Sequence, residues 1–404
     1  MLAFEDALAT VLDQAIPGTR VIEIPVAESA GRVLAEEVRS DINMPPFNKS
    51  AMDGFAFRRG DSTDGELFRV MRTIAAGDSA DPPLGPRECV RIMTGAPVPG
   101  DADTVIPVED VGPAEMPQSE GEWVRFHTIP PRGEHIAIQG EDIRVGEVAL
   151  APNQVIRHQH VAVLASVGRA MIRVYAPPSI AFAATGEEIV EPGTPPRPGQ
   201  IYNANASMLW SQILEARAVP HPLGQIRDTR EDLQKKLAQG LEHDMLVVSG
   251  GVSMGQFDLV PDVLQELGVE ILFHRLLIKP ARPTLFGKRD RTLVFGLPGN
   301  PVSALYAFDQ FVATAIRVFS HHPRPLATRY QGELMETVKK APGRLLLMPC
   351  ICESVGDRFQ LNPIRTHGSA DIFAIHRANA LAILAAGVAE AKKGSLVSFR
   401  MLFE

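Results

Sequence analysis

Cysteine is scarce in this chain of 404 residues, which contains only Cys89, Cys350 and Cys352. An odd count, with two of the three a single residue apart, argues against the disulfide framework of a secreted domain and favours the reducing cytoplasm. Cys350 and Cys352 could bind a soft metal, but no second Cys or His pair stands at zinc spacing. We interpret them as side chains on one face of a strand.

Blocks of like charge are also missing, because 48 acidic and 40 basic residues are mixed along the chain and give a net charge of -8. Nucleic acids and anionic membranes attract concentrated basic patches, so neither is an expected partner. The sequence has neither the basic start and apolar core of a signal peptide nor an apolar run of transmembrane length. The expected partners are small molecules and other proteins.

Composition and length predict several domains, since 45% of the residues are hydrophobic and 404 residues exceed what one core usually organises. Apolar residues three and four apart, beginning at Phe4, predict an amphipathic helix. Residues 44–168 contain many prolines, glycines and short apolar runs, which are typical of β structure.

The second half changes pattern. Residues 179–319 alternate between strand and helix patterns, which predicts a doubly wound, mostly parallel α/β sheet. A linker at 321–325 precedes further β texture, a small barrel or sandwich. The chain is therefore predicted to be a multidomain α/β plus β protein. Within 179–319 the predicted strands are 180–184, 219–226, 244–248, 269–273 and 292–295; Pro220 and Pro222 weaken the second of these or push it to the sheet edge. The predicted helices are 205–216, 229–241, 258–267 and 300–316, and Thr229, Asp258 and Asn300 can cap the last three.

Three glycine loops follow strands of the predicted sheet, at 185–188, 249–253 and 296–301. Such loops expose backbone amides at the carboxyl ends of the strands, where anionic ligands bind. A single loop of this kind could be only a tight turn, but three on one edge favour a binding site. The candidate ligand-binding residues are Ser249, Gly250, Gly251, Ser253, Pro298, Gly299, Asn300 and Pro301.

Carboxylates collect at the same edge: Glu187 and Glu188 on the first loop, then Asp228 and Asp258. Carboxylates beside phosphates repel unless a hard cation lies between them, so this arrangement implies a bound Mg2+. Asp228 and Asp258 could instead cap helices. Lys279 and Arg282, separated by a proline and an alanine after a strand, suit a tetrahedral oxyanion or a phosphate.

Six segments resemble the molybdopterin molybdenumtransferase family, in that family's order and over nearly the full length. They are 50–56 (SAMDGFA), 91–99 (RIMTGAPVP), 140–143 (GEDI), 185–188 (TGEE), 249–253 (SGGVS) and 296–303 (GLPGNPVS).

The resemblance implies a homodimer whose subunits have four domains: a base at 1–43 and 137–175, an inserted β-rich domain at 44–136, a molybdopterin-binding α/β domain at 176–325 and a carboxy-terminal β-barrel at 326–404. It implies Mg2+-assisted insertion of molybdate into the dithiolene of adenylylated molybdopterin, with release of AMP. Candidate protein partners are a molybdopterin adenylyltransferase and the recipient molybdoenzymes.

The resemblance also implies roles for single residues, in a site shared between subunits. Pro298 and Pro301 would shape the pterin loop. The implied catalytic residues are Asp53, Thr94, Asp142 and Glu188; the implied metal ligands are Glu188, Asp228 and Asp258; the implied molybdate ligands are Lys279, Arg282, Ser303, Arg344 and Ser369.

The chain departs from the family pattern in three places: Arg282 replaces a lysine, Asn48 and Lys49 replace Asp-Asn, and Ala137 stands where an arginine is frequent. The first keeps the positive charge but changes its geometry. The other two alter the charge near the implied substrate groove, and so concern substrate affinity and the choice between tungstate and molybdate. Two alternatives remain open, a molybdopterin adenylyltransferase and a non-catalytic scaffold. The segments 50–56 and 94–99 and the separate barrel argue against the first, and the intact acids and glycine loops argue against the second.

Overall fold

The centre of the molecule is a six-stranded mixed sheet. The computed structural model describes residues 1–80, 83–114, 121–252 and 258–402. The first four strands across the sheet run parallel, the fifth runs opposite to them, and the sixth pairs antiparallel with the fifth, which confirms the predicted mostly parallel α/β architecture. In spatial order the strands are Val219–Pro222, Ser179–Ala184, Met245–Ser249, Thr292–Leu297, Leu285–Arg289 and Glu270–His274.

One strand of this sheet, Leu285–Arg289, was absent from the sequence prediction. It forms an antiparallel pair with Thr292–Leu297. Gly287 and the charged pair Lys288 and Arg289 interrupt its apolar pattern, so it carries no strand signal of its own. Its register comes from the hairpin and from burial of its first three residues.

Helices cover both faces of the sheet and leave one apolar cluster on each side. Thr229 caps its helix as predicted, since its side chain accepts a hydrogen bond from the Asp232 N–H. The prediction that Asp258 caps the next helix is wrong, because Leu259 occupies the cap position. The helices are Ala204–Glu215, Arg230–Gly240, Val260–Glu266 and the composite helix Pro301–Phe319.

The composite helix is the main core element of the α/β region. It runs as α-helix over Pro301–Ala307, as π-helix over Phe308–Val312 and as α-helix over Ala313–Phe319. It is long and apolar enough to cross a membrane, but 72% of it is buried inside the protein. The predicted amino-terminal helix, Phe4–Gln14, packs on it and places the Phe4 ring 5.7 Å from the Phe311 ring.

The inserted β-rich region forms a second six-stranded sheet, packed around the rings of Phe55, Phe57, Phe68 and Phe126. In spatial order its strands are Thr104–Pro107, Gly54–Phe57, Glu88–Ile92, Leu67–Ile74, Glu122–Phe126 and Val111–Ala114.

The base between these two sheets is built from distant parts of the sequence, and its helix is His158–Ser166. Leu34, Val38, Leu164 and Val174 share its core, so the chain enters and leaves the inserted sheet through one packed unit. Its antiparallel pairs are Val21–Pro25 with Met171–Tyr175, Val38–Arg39 with Val148–Leu150, and Lys49–Ser50 with Ile136–Ala137.

The carboxy-terminal region is a closed five-stranded barrel, which decides between the barrel and the sandwich considered above. Ile278–Lys279 of the α/β region pairs with its first long strand and joins the two regions. Cys350 and Cys352 are free and lie in the barrel core, as predicted for residues on one strand face. In ring order the strands are Leu345–Val355, Arg358–Pro363, Tyr330–Leu334, Leu396–Met401 and Ala380–Leu384; the short helix Ile372–Ile375 precedes the last of these along the chain.

Shorter paired strands complete the fold, and they lie outside the large sheets. Each forms a two-stranded contact with one partner. They are Ile189–Val190 with Ile201–Tyr202, and Val338–Lys339 with Glu390–Ala391. Single turns of 3-10 helix occur at Val26–Glu28, Arg59–Asp61 and Val108–Asp110.

Candidate functional site

The carboxyl ends of the parallel strands open into a cavity of about 560 Å³, here called the loop cavity. The three predicted glycine loops meet there. Of the predicted substrate-binding residues, Ser253 lies outside the described residues. The others line the cavity: Ser249, Gly250, Gly251, Pro298, Gly299, Asn300 and Pro301.

At Gly250 two of the loops approach one another so closely that a side chain is excluded, whereas Gly299 makes only an ordinary contact. Gly250 has a φ of +96°, and a Cβ there would lie 2.7 Å from the main-chain oxygen of Thr185. A Cβ on Gly299 would lie 3.6 Å from the Cα of Gly250. Glycine is required at position 250 by both space and conformation, so the backbone itself forms this wall of the cavity.

Hydrogen bonds also hold these loops in place. The Ser249 hydroxyl donates to the Pro298 carbonyl oxygen at 3.0 Å. Asn205 Nδ2, in the first turn of helix Ala204–Glu215, donates to Ser249 Oγ at 2.9 Å and to the Gly299 carbonyl oxygen at 2.7 Å. Asn205 therefore couples two of the glycine loops. Its role had no signal in the sequence beyond a position near a helix start.

The predicted metal ligands Glu188, Asp228 and Asp258 all line the loop cavity. Burial raises the pKa of Asp228, and the neighbouring carboxylates of Glu188, Glu187 and Asp258 raise it further, while a hydrogen bond from the Glu187 backbone N–H opposes them. Negative charge thus accumulates at one side of the cavity. Within the described ranges no three His, Cys, Asp or Glu side chains lie close enough together to hold a metal ion by themselves.

A second cavity of about 800 Å³, here called the cation cavity, lies between the α/β region and the barrel. Ser303 is 4% exposed, and its Oγ accepts a hydrogen bond from the Ala281 N–H at 3.3 Å. The five predicted molybdate ligands all line this cavity, although they come from four separate segments: Lys279, Arg282, Ser303, Arg344 and Ser369.

Further polar side chains of the barrel line the cation cavity, and the sequence pattern did not predict them. Among them are Lys339, Arg365 and His367. Arg365 lies 3.6 Å from Glu336, and both side chains are largely exposed. Isolated basic residues in β texture carry no signal of convergence, so only the fold could bring them to this cavity.

The two cavities adjoin, because Pro283, Pro298 and Asn300 line both. The prediction that Asn300 caps its helix is confirmed for its position but not for its side chain. Asn300 occupies the cap position without a side-chain cap hydrogen bond, and its Nδ2 donates instead to Ser369 Oγ on the barrel at 2.7 Å. One side chain thus connects the glycine loops to the cation cavity.

Asp53 and Thr94 form an exposed pair on the inserted sheet. Asp53 Oδ1 accepts hydrogen bonds from the Thr94 backbone N–H at 2.7 Å and from its hydroxyl at 2.9 Å. These bonds, the backbone one first, hold the pKa of Asp53 below its usual range. The carboxylate is therefore ionised, and it presents negative charge at the surface.

The remaining predicted catalytic residue, Asp142, is exposed, and its backbone N–H donates to the Met44 carbonyl oxygen at 2.9 Å. Asp53, Thr94 and Asp142 line neither the loop cavity nor the cation cavity. Within one chain, therefore, Glu188 lies with the other loop residues, whereas Asp53, Thr94 and Asp142 lie outside both cavities.

Two of the departures from the family pattern are neighbours. Lys49 pairs with Ala137 across the two antiparallel strands Lys49–Ser50 and Ile136–Ala137. Lys49 thus lies opposite Ala137, where the family pattern frequently has an arginine, so this strand pair retains one cation. Asn48 Oδ1 accepts a hydrogen bond from the Gln139 N–H at 2.8 Å.

Three family models match the chain in succession. The MoeA N-terminal region (domain I and II) matches residues 2–168, a probable molybdopterin binding domain matches 181–318, and the MoeA C-terminal region (domain IV) matches 331–402. Together they extend over all the regions described above.

Curated relatives match over most of their length. A molybdopterin molybdenumtransferase of Bacillus subtilis is 30% identical over 393 residues, which cover 94% of this chain and 90% of the relative. One from Haemophilus influenzae is 32% identical and covers 85% and 84%. Among solved structures, the molybdopterin biosynthesis moea protein from Pyrococcus horikosii superposes with a TM-score of 0.82 at 28% identity, covering 100% of this chain and 99% of that one.

Proposed function

The chain belongs to the molybdopterin molybdenumtransferase family and is a transferase of molybdenum cofactor biosynthesis, and we propose that it inserts molybdate into the dithiolene of adenylylated molybdopterin. The observation that carries this proposal is the contact between two unlike cavities, one lined by the glycine loops and one by cations. An insertase must hold an adenylylated pterin and an oxyanion side by side.

The adenylylated pterin occupies the loop cavity in this proposal. Its phosphates need donors that carry no counter-charge, and the glycine loops supply backbone N–H groups at the carboxyl ends of parallel strands. Close packing at Gly250 and the hydrogen bonds of Asn205 keep those donors in place before the substrate arrives. Such preorganisation reduces the cost of binding.

Molybdate occupies the cation cavity. Lys279, Arg282 and Arg344 supply charge, and the hydroxyls of Ser303 and Ser369 supply directed donors. A dianion bound by charge-assisted hydrogen bonds is held more tightly than one bound by neutral donors. Arg282 offers a planar fork where a lysine offers a point charge, which favours paired contacts to two oxygens.

Adjacent binding supplies most of the catalysis in this account. The two dithiolene sulfurs replace oxygen ligands of the molybdate, and displaced oxygen leaves as water. Water cleaves the phosphoanhydride, so AMP departs and the pterin keeps its own phosphate. Holding both reactants in contact replaces a bimolecular encounter by a local one, which lowers the activation free energy by up to about 7–11 kcal/mol for well-aligned groups.

A Mg2+ ion fits the donor set of the loop cavity. Glu188, Asp228 and Asp258 are hard oxygen ligands. The pKa of Asp228 is raised first by burial and then by repulsion from the neighbouring carboxylates, and a cation would relieve that repulsion. Mg2+ commonly takes one or two carboxylates and completes its shell with phosphate oxygens and water, so a preformed three-residue cage is unnecessary. When bound, the ion would neutralise charge on the phosphates.

Asp53, Thr94 and Asp142 act from the partner subunit in this proposal. Their position outside both cavities of their own chain supports a homodimer in which the inserted sheet of one subunit faces the cavities of the other. The ionised Asp53 carboxylate is suited to orient the hydrolytic water. We further propose the four domains with the bounds predicted above, a cytoplasmic location, and contacts with a molybdopterin adenylyltransferase and recipient molybdoenzymes.

Single-turnover release of AMP tests the proposal. Purified protein is mixed with adenylylated molybdopterin, Mg2+ and molybdate, and AMP is quantified by chromatography. We expect wild type to release AMP only with molybdate and Mg2+, and Glu188→Gln and Asp53→Asn to lose at least about 100-fold in rate. Tight substrate binding without any turnover in wild type would instead identify a scaffold.

Mixed dimers test the shared site. Asp53→Asn and Glu188→Gln subunits, each inactive alone, are combined after reversible dissociation. If the site is shared, a mixed dimer contains one intact site and recovers about half of the wild-type rate per dimer, by simple counting of sites. Failure to recover activity in dimers verified by mass would refute sharing while leaving the insertase activity in place.

A further inference from the structure

We propose that Asn300 is a positioning residue that turns the hydroxyl proton of Ser369 toward the cation cavity. The proposal rests on the function above, since it assigns the oxyanion to that cavity. Its observation is a single hydrogen bond of 2.7 Å, from Asn300 Nδ2 to Ser369 Oγ. It joins the last glycine loop to the barrel.

The geometry of the helix start sets Asn300 apart from an ordinary cap. Asn is among the best N-cap residues, and a cap hydrogen bond stabilises a helix by about 1 kcal/mol. Asn300 stands at the cap of Pro301–Ala307 with its side chain turned away from the helix amides. Asn203, at the start of Ala204–Glu215, makes the usual bond, to the Ala206 N–H at 3.1 Å. The Asn300 side chain therefore makes no cap bond to its own helix and bonds instead to Ser369 in the barrel region.

The direction of the bond matters for Ser369. A hydroxyl has one proton to donate and two lone pairs that accept. Because Ser369 Oγ accepts from the Asn300 amide, its proton is left for an acceptor inside the cavity. Ser303, the other hydroxyl of this wall, is arranged in the same way, since its Oγ accepts from the Ala281 N–H. Both serines are thus set up as donors, as an oxyanion requires.

The backbone holds Ser369 at the same place. The Ser369 carbonyl oxygen accepts from the Val302 N–H at 3.2 Å. The position of Ser369 therefore survives loss of the Asn300 side chain, while the orientation of its hydroxyl does not. This separation of position from orientation makes the proposal testable by substitution.

Asn300→Asp and Asn300→Ala distinguish positioning from a structural role. Aspartate has the shape of asparagine, but its carboxylate only accepts hydrogen bonds. It would therefore accept the hydrogen bond of the Ser369 hydroxyl, and it would place negative charge between two anionic ligands. A structural cap predicts the opposite order, because aspartate caps as well as asparagine and alanine does not.

The measurement is the dissociation constant of molybdate alone, by isothermal titration at pH 7.5. We expect Asn300→Ala to weaken binding about three- to tenfold and Asn300→Asp to weaken it by more, while the thermal midpoint of Asn300→Asp is at least that of Asn300→Ala. Asn153→Asp is the matched control, because it adds the same charge at a residue that lines neither cavity. It should bind molybdate as wild type does.

Two further readouts complete the test. In the Ser369→Ala background, Asn300→Ala should cost nothing more, because the hydroxyl it orients is gone. In turnover, KM for molybdate should rise in both Asn300 variants, and more in Asn300→Asp than in Asn300→Ala. Asn300→Asp binding molybdate better than Asn300→Ala, or additive losses in the double variant, would overturn the positioning role. Absence of molybdate binding to wild type would instead overturn the oxyanion assignment itself.

Discussion

Replacing Arg400 by leucine removes the guanidinium that faces Asp309 at the junction of the composite helix and the barrel. Arg400 Nη2 lies 2.7 Å from Asp309 Oδ1, and the two side chains are 8% and 14% exposed. Gln310 Nε2 donates to the other carboxylate oxygen at 2.7 Å. Burial raises the pKa of Asp309, and the opposing Arg400 charge only partly offsets this.

The leucine variant leaves a buried carboxylate without its cation, which we expect to cost about 3 kcal/mol, the lower end for such a loss because Asp309 keeps Gln310. The variant's cost has a definite pH dependence. An aspartate whose folded pKa is raised binds its proton more tightly when folded, so the penalty is full above that raised pKa and falls as the pH drops through it. Replacing both Asp309 and Arg400 by leucine should restore most of the stability.

Hydrogen exchange read by mass spectrometry measures this locally, which suits a chain of several regions that need not unfold together. In Arg400→Leu at pH 7.5, peptides covering Phe308–Val312 and Leu396–Met401 should exchange up to about 100-fold faster, the equivalent of about 3 kcal/mol. Arg358→Leu, at an exposed barrel position, is the control and should change little. Equal exchange in Arg400→Leu and the control, or a double variant as unstable as the single one, would refute the reasoning.

Three further predictions use sites elsewhere in the molecule. Gly54→Ala would place a Cβ 1.9 Å from a main-chain oxygen of the adjacent strand, so it should lower the free energy of unfolding of the inserted sheet by at least about 3 kcal/mol. Gly60→Ala, which has open space around it, should leave that free energy unchanged, and urea denaturation compares the two variants. Thr94→Val removes one of two donors to Asp53, so the pKa of Asp53 should rise toward its ordinary value in an NMR titration; an unchanged titration contradicts this. Burial raises the pKa of Cys350 to about 12, so iodoacetamide at pH 8 should label it only after unfolding, and rapid labelling of the folded protein would contradict its burial.

Local sequence signals were sufficient for much of the α/β region. The spacing of apolar residues after Phe4 predicted the first helix, and Thr229 predicted a real cap. The strand Leu285–Arg289 carried no such signal, because tertiary pairing, not its own pattern, makes it a strand. The π-helical turn at Phe308–Val312 likewise left no mark in the spacing of apolar residues.

The candidate site divides in the same way. Glycine loops after strands predicted the loop cavity, because the carboxyl ends of parallel strands must meet at one edge. The bond between Asp53 and Thr94 joins residues 41 positions apart and depends on the inserted sheet. Asn300 holds the predicted cap position, but its side chain bonds to Ser369 in the barrel, a partner that the local pattern could not indicate. Contacts between regions could not be predicted from the local sequence pattern.

The most direct test of the central claim is to count molybdenum and AMP in one reaction. Protein loaded with adenylylated molybdopterin is given molybdate and Mg2+, and AMP is measured beside the molybdenum that X-ray absorption finds bound to sulfur. An insertase produces one sulfur-bound molybdenum for each AMP, and neither without molybdate. AMP release that is independent of molybdate, or molybdenum that keeps only oxygen ligands, would contradict the account.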